Sequence, residues 1–297
     1  MATERATGTV LSDAVAVRRA KPEDAHACGI ICHEAFTQIN VRHGFPPDFP
    51  GSDAATGVLS MMFSHPGFYS VVAEFHGEIV GSNCLDERSP IAGVGPITIH
   101  VNVQNKSIGR LLMQAVLDRA AERKFVGVRL LQAAFHNRSL SLYAKLGFDV
   151  REFMSVMQGP PIGKVLSGYR VRAASESDAE ACNSLCKAVH GHDRCGELTD
   201  AIQQGTAVVA EHNGGITAYA SAMGFFGHAV GRTNYDLQAL IAGAPSFLGP
   251  GIIVPTRNAA LFRWCLENGL KVVEPMTLMT LGLYNEPTGA YLPSILY

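Results

Sequence analysis

From residue 15 onward, apolar positions switch repeatedly between a spacing of two and a spacing near 3.6. Alternation over 15–19 predicts a strand, helical spacing over 23–36 a helix, and the Pro- and Gly-rich stretch from Gly44 to Gly51 a loop. A helix over 53–64 precedes strands at 69–75, 78–86 and 96–103; a helix over 108–124, a strand over 126–134, a helix over 138–146 and a strand over 148–157 complete this half. Strands interleaved with helices in this way build a mixed α/β layer.

The pattern then starts again. "VRRAKPEDAHACGIIC" from Val17 aligns without gaps on "VRAASESDAEACNSLC" from Val171, each a short strand, a polar turn with Asp24 or Asp178, and a helix with two cysteines four apart. "VVAEFHGEIVGS" from Val71 is echoed by "VVAEHNGGITAYAS" from Val208, a strand, Gly turn and strand in each case, and "HNRSLSLYAKLGF" from His136 by "RNAALFRWCLENGL" from Arg257. Three matches in one order indicate a duplicated unit. Two prolines and three glycines in "QGPPIGKVLSG", Gln158 to Gly168, place the join near Gly163. The expected fold class is therefore α/β, two tandem mixed β-sheet domains with flanking helices, over 15–160 and 165–297.

Composition narrows the function classes. A chain of 297 residues, 47% hydrophobic, suffices for two ordinary cores. A formal charge of -2 supplies no general basic surface, so nucleic acid is not an expected partner. No stretch approaches the roughly 18 apolar residues of a membrane span, and "MATERATGTVLSDA" has no apolar h-region, so the expected location is the cytoplasm, with no membrane partner. Seven cysteines fit free thiols in a reducing compartment. The helical pairs Cys28/Cys32 and Cys182/Cys186 read as buried core, and His190 and His192 near Asp193 and Cys195 as a polar loop; no metal is expected. Monomer and homodimer both stay open.

The densest chemistry lies in "GPITIHVNVQNKSIGRLLMQAVLDRA" from Gly95. Ile97, Ile99, Val101 and Val103 alternate as a strand, whereas Ile108, Leu111, Leu112, Ala115 and Val116 follow helical spacing, so Gln104 to Gly109 is the turn between them. A helix opening directly after a strand aims unpaired N–H groups and its positive dipole end into that turn, which favours an anion, and Lys106 and Arg110 add charge. The spacing fits neither a Walker A loop nor a Gly-x-Gly-x-x-Gly dinucleotide turn.

The turn resembles the signature of the GNAT superfamily of acyl-CoA-dependent N-acetyltransferases: Gln or Arg, two residues, Gly, one residue, Gly or Ala. Here it reads Gln104, Asn105, Lys106, Ser107, Ile108, Gly109, with Ser107 in place of the first glycine. A second stretch, "HNRSLSLYAKLGF", is similar to the family's later signature, with Tyr143 four residues before Gly147 of a Gly-Phe pair. His136 stands where the family usually has Asn, and Asn137 comes one place late, which leaves either to face the pantetheine. The resemblance covers about residues 15 to 158.

The resemblance implies acetyl-CoA as co-substrate in a wedge between the fourth and fifth strands. Its pantetheine would pair near Ile99, His100 and Val101, its pyrophosphate would cap the helix through Gln104 to Arg110, and His136, Asn137, Ser139 and Tyr143 would line the other side. Tyr143 is the implied general acid for the departing thiolate. For the base, Glu34, His43, Asp86, Glu87 and His100 are candidates, and His100 is carried as a catalytic residue beside Tyr143. Glu34, Phe36 and His43 are expected at the acceptor, within a loop that also brings Phe45, Phe49, Arg42 and Asp48. The implied activity is acetyl transfer to a primary amine of a small molecule. The alternatives are a catalytically silent acyl-CoA sensor and a protein or peptide amine acetyltransferase. The second half lacks the Gln-x-x-Gly-x-Gly pattern and has Trp264 where the first has Tyr143, so it reads as a degenerate copy; its terminal "EPTGAYLPSILY" is expected to dock on the body.

Overall fold

The computed structural model describes residues 15–104 and 106–297. The first half runs β1 (Ala16–Arg19), α1 (Ala25–Arg42), α2 (Ser52–Ser64), β2 (Phe68–Phe75), β3 (Glu78–Asp86), β4 (Ile91–Val94) and β5 (Thr98–Ile99). It continues with α3 (Ile108–Glu122), β6 (Gly127–Ala133), α4 (Asn137–Lys145) and β7 (Asp149–Gln158). The second half repeats the order: β8 (Tyr169–Ala173), α5 (Ala179–His190), α6 (Cys195–Gln203), β9 (Val208–His212), β10 (Gly215–Ala220) and β11 (Ala229–Gly231). Then follow α7 (Asn234–Gly243), β12 (Ile252–Pro255), α8 (Ala259–Glu267), β13 (Lys271–Gly282) and β14 (Ala290–Leu292).

The duplication is visible in bonding as well as order. Arg18 joins Asp24 and Glu74 at 2.7 Å each, tying the first strand to the start of α1 and to β2. Arg172 does the same with Asp178 at 2.7 Å and Glu211 at 2.6 Å. The cysteine pairs Cys28/Cys32 and Cys182/Cys186 are fully buried in the corresponding helical cores, where burial pushes the thiols up.

The sheets do not divide at the join near Gly163. The larger sheet has the order β1-β2-β3-β4-β6-β13-β7-β12, and the smaller one β14-β11-β10-β9-β8. Strand β13 of the second half lies antiparallel between β6 and β7, and β7 in turn pairs with β12. Within the larger sheet, β13 of the second half thus stands beside β6, the strand that precedes α4, and β7 of the first half beside β12, the strand that precedes α8. Alternation carries two cores through the larger sheet: Val71 faces α3 and α4 with Leu112, Val128 and Tyr143, while Val72 faces α1 and α2 with Leu59, Met62 and Phe68.

One expected strand is broken. An unexpected strand, β4, precedes it, and over 96–103 the chain forms only the two-residue β5 and a 3-10 turn over Val101–Val103. β4 runs parallel to β6 only over Ile91–Gly93, after which the chain crosses back to pair Thr98 and Ile99 with Ser82 and Gly81 of β3. The imidazole Nδ1 of His100 accepts the Asn102 N–H at 3.3 Å and closes the turn. The alternating Ile97, Ile99, Val101, Val103 pattern therefore persists in sequence beyond the point where strand pairing stops. The terminal segment docks as expected: Ile295 N–H donates to Phe225 O at 2.8 Å and Leu296 is buried. Its path explains Gly93, where a Cβ would lie 2.0 Å from Leu296 O.

Candidate active site

The divergence of β4 from β6 opens a wedge, and a cavity of about 780 Å³ occupies it. This falls within the range of sites for small molecules and cofactors. One wall is Val94 to Ile99, the other Leu130 to Ala133, and the start of α3 stands at one end.

That helix start is receptive to an anion. Ser107 holds a left-handed conformation, φ 62° and ψ 6°, and its side chain makes no cap hydrogen bond. Serine thus adopts backbone angles that glycine takes at less cost. Gly109 lets the helix approach the strand wall: a Cβ there would be 3.1 Å from Ile99 Cδ1 and 3.4 Å from Leu142 Cδ2. Gln104 donates to Ile99 O at 3.3 Å and accepts from Arg138 at 2.6 Å, so the turn is linked to the first residues of α4. The corresponding helix of the second half, α7, already carries its own anion: Asp236 accepts from the Thr233 N–H at 2.8 Å and from its hydroxyl at 2.6 Å.

The structure brings Ile99, Gln104, Ser107, Ile108, Gly109 and Arg110 to the cavity, and also His136, Asn137, Ser139, Tyr143 and Phe36. His136 uses Nδ1 to accept the Ser139 N–H at 3.3 Å; burial, then Arg138, lowers its pKa and keeps it neutral. Tyr143 is 6% exposed, with its phenol pushed up by burial, and its hydroxyl has no hydrogen-bond partner among the described residues. A phenol without a partner in a dry wall stays protonated.

Other expected residues lie elsewhere. His100 and Val101 are outside the cavity lining, and His100 is spent on capping the turn. Lys106 turns outward and sits 4.6 Å over the Phe75 ring. Asn105 lies outside the described residues. Glu34 and His43 are on exposed surface, His43 against the Phe135 ring at 5.4 Å. Asp86 is held by Arg88 at 2.6 Å and Glu87 by Arg119 at 2.7 Å, both away from the cavity.

Two other carboxylates do line it, Asp48 and Glu274. Asp48 comes from the loop between α1 and α2, held by Asn40, which donates to it at 3.0 Å and to Pro46 O at 2.8 Å. Glu274 comes from β13, beyond the join; it is 3% exposed and has no hydrogen bond or ion pair among the described residues. Burial first, and the charge of Asp48 second, push the Glu274 carboxyl up to about 8. Burial raises Asp48 to about 6 against the opposing hydrogen bond from Asn40. With one carboxyl near 6 and the other near 8, the pair holds a single negative charge near neutrality. A smaller cavity of about 220 Å³, walled by Pro46, Pro47 and Pro250, touches the same two carboxylates.

A parallel strand pair that separates beside a helix start, with a buried phenol on the next helix, defines an acyltransferase fold of the GNAT kind, here built in tandem. Residues 35–148 match the family described as Acetyltransferase (GNAT) family. An uncharacterized N-acetyltransferase of Escherichia coli, YjgM, is 25% identical over 118 residues, 38% of this chain and 71% of that protein. A Pyrococcus horikoshii structure assigned as an acetyltransferase superposes with a TM-score of 0.72 at 18% identity, covering 94% of this chain and 93% of that one. A tandem GNAT protein of the clavulanic acid biosynthesis pathway superposes at 0.55 and 13% identity, over 91% of this chain and 98% of that one. The family match thus covers residues 35–148 of the first half, and the two neighbours show that the whole chain shares its fold with acetyltransferase structures, a tandem GNAT protein among them.

Proposed function

We propose that the protein is an acetyl-CoA-dependent N-acetyltransferase acting on a primary amine of a small molecule, with one composite active site in the wedge of the first copy. The observation that carries this reading is the polarity of a single cavity. Its cations Arg110, Arg138 and Lys145 belong to α3 and α4, its unpaired carboxylate stands on β13, and the phenol of Tyr143 also lines it. The residues fit the coenzyme: the uncapped start of α3, with Arg110 and Arg138, suits a diphosphate, and Gly109 leaves room beside Ile99. Acetyl-CoA supplies the acetyl group as a thioester.

In this reading Glu274, coupled to Asp48, takes a proton from the acceptor ammonium and leaves the nitrogen lone pair free to attack. Tyr143 Oη holds the proton that goes to the departing sulfur. The apolar walls exclude water, which protects the thioester and keeps both proton positions matched to their tasks. His100, carried as a catalytic candidate on sequence grounds, has no part in this proposal. The second copy is proposed to bind no acetyl-CoA, because Asp236 caps α7 and Trp264 replaces the phenol.

Calorimetry with acetyl-CoA, followed by thiol release with a panel of amines, tests the reading. One equivalent bound per chain and release dependent on an amine are expected. Binding without release for any amine identifies a silent acyl-CoA sensor instead.

A further inference from the structure

The acceptor end of the cavity carries negative charge and no compensating cation. Its walls come from α1, the loop bearing Asp48, the Phe225–Phe226 stretch, β13 and the terminal segment, and no Lys, Arg or His of these elements lines it. The smaller cavity that shares Asp48 and Glu274 is equally free of cations. Arg42, the last residue of α1, and His43 just after it are exposed and do not reach either lining. The remaining surface is apolar: Phe36 and Phe49, with ring centroids 6.3 Å apart, together with Met276, Phe226, Ile295 and Leu296.

This wall has a consequence for the acceptor. An ammonium entering it finds a buried carboxylate that lacks any other partner, and aromatic faces that also attract cations. A carboxylate on the acceptor would be desolvated beside the negative charge that Asp48 and Glu274 hold between them, with no cation on these walls to pair it. We infer that the acceptor is an apolar primary amine that carries no carboxylate, an aryl- or alkylamine and not an amino acid. The inference rests on the acetyltransferase reading above and narrows its substrate. Specificity arises here by exclusion: the same acids that hold the ammonium repel the amino acid from which such an amine derives by loss of carbon dioxide.

The test compares matched pairs on the full chain with saturating acetyl-CoA: 2-phenylethylamine against phenylalanine, and hexylamine against 6-aminohexanoate. The decarboxylated member of each pair is expected to have kcat/KM at least about 100-fold higher, the size that like-charge juxtaposition in a buried site supports. In Asp48→Asn the ratio should shrink at least about tenfold, because one repelling charge is gone while shape is kept. Comparable or better turnover of phenylalanine and 6-aminohexanoate overturns the inference and leaves the acetyltransferase reading standing. Acetyl-CoA binding with no turnover of any of the four amines overturns the inference, and absence of release across the wider amine panel overturns the acetyltransferase reading as well.

Discussion

A carboxyl that stays protonated in the folded chain but ionises in the unfolded one makes stability fall as pH rises. Glu274 is such a group: its folded pKa, about 8, lies above its ordinary value, so its contribution is complete below that ordinary value and is lost as pH climbs toward 8. Glu274→Gln should therefore flatten the stability profile and be the more stable form at pH 8 to 9, by more than about 1 kcal/mol in chemical denaturation. A variant less stable than the parent at pH 9 would contradict the burial argument. Tyr143→Phe removes one hydroxyl from a wall that otherwise stays apolar. Acetyl-CoA affinity measured by calorimetry should hold while kcat drops about 100-fold, the usual weight of one positioned proton donor. These two residues differ in how far the sequence reveals them. Tyr143 stands in a local signature, four residues before Gly147, and can be found from a short window. Glu274 leaves only a weaker trace, one acid in the apolar run "VVEPMTLMT" of the half without the signature; only tertiary packing carries it into the other half's cavity.

At the scale of elements, the helices follow their periodicity to within a few residues at most ends, and one extends beyond it: α1 runs to Arg42, past the expected end at 36. Helical spacing is set by neighbours three and four residues away, which a sequence displays directly. The strand expected over 96–103 breaks because its pairing is decided by β3 and β6, far away in the chain. The α3 turn tests the local physics further. Ser107 in the left-handed region costs about 1–2 kcal/mol, against about 0.5–1 kcal/mol of added chain entropy for glycine. Ser107→Gly should accordingly raise stability by about 0.5–1 kcal/mol in urea unfolding. A loss of stability would show that the serine side chain contributes an interaction that outweighs its backbone strain.

For the whole molecule, the repeat in the sequence predicts two similar units but not the exchange that sets β13 beside β6 and β7 beside β12. Internal similarity reports what each unit is made of, whereas strand order depends on contacts between residues more than a hundred positions apart, such as Leu131 with Leu278. The exchange makes the halves interdependent. Residues 1–163 produced alone would expose the edges of β6 and β7 that β13 covers and would lack Glu274, so this fragment is expected to aggregate or unfold by circular dichroism and sedimentation. A folded, monomeric, active fragment would contradict the exchanged sheet. The second half thus has a part in the proposed site: it supplies a strand, a carboxylate and some of the cavity lining. The most direct test is the pH profile of kcat/KM for 2-phenylethylamine in the parent and in Glu274→Gln. The parent should rise with pH through a half-maximal point near 8, and the variant should fall at least about 100-fold and lose the rising limb. An unchanged rate with the same limb in Glu274→Gln would place the base elsewhere and dissolve the composite site.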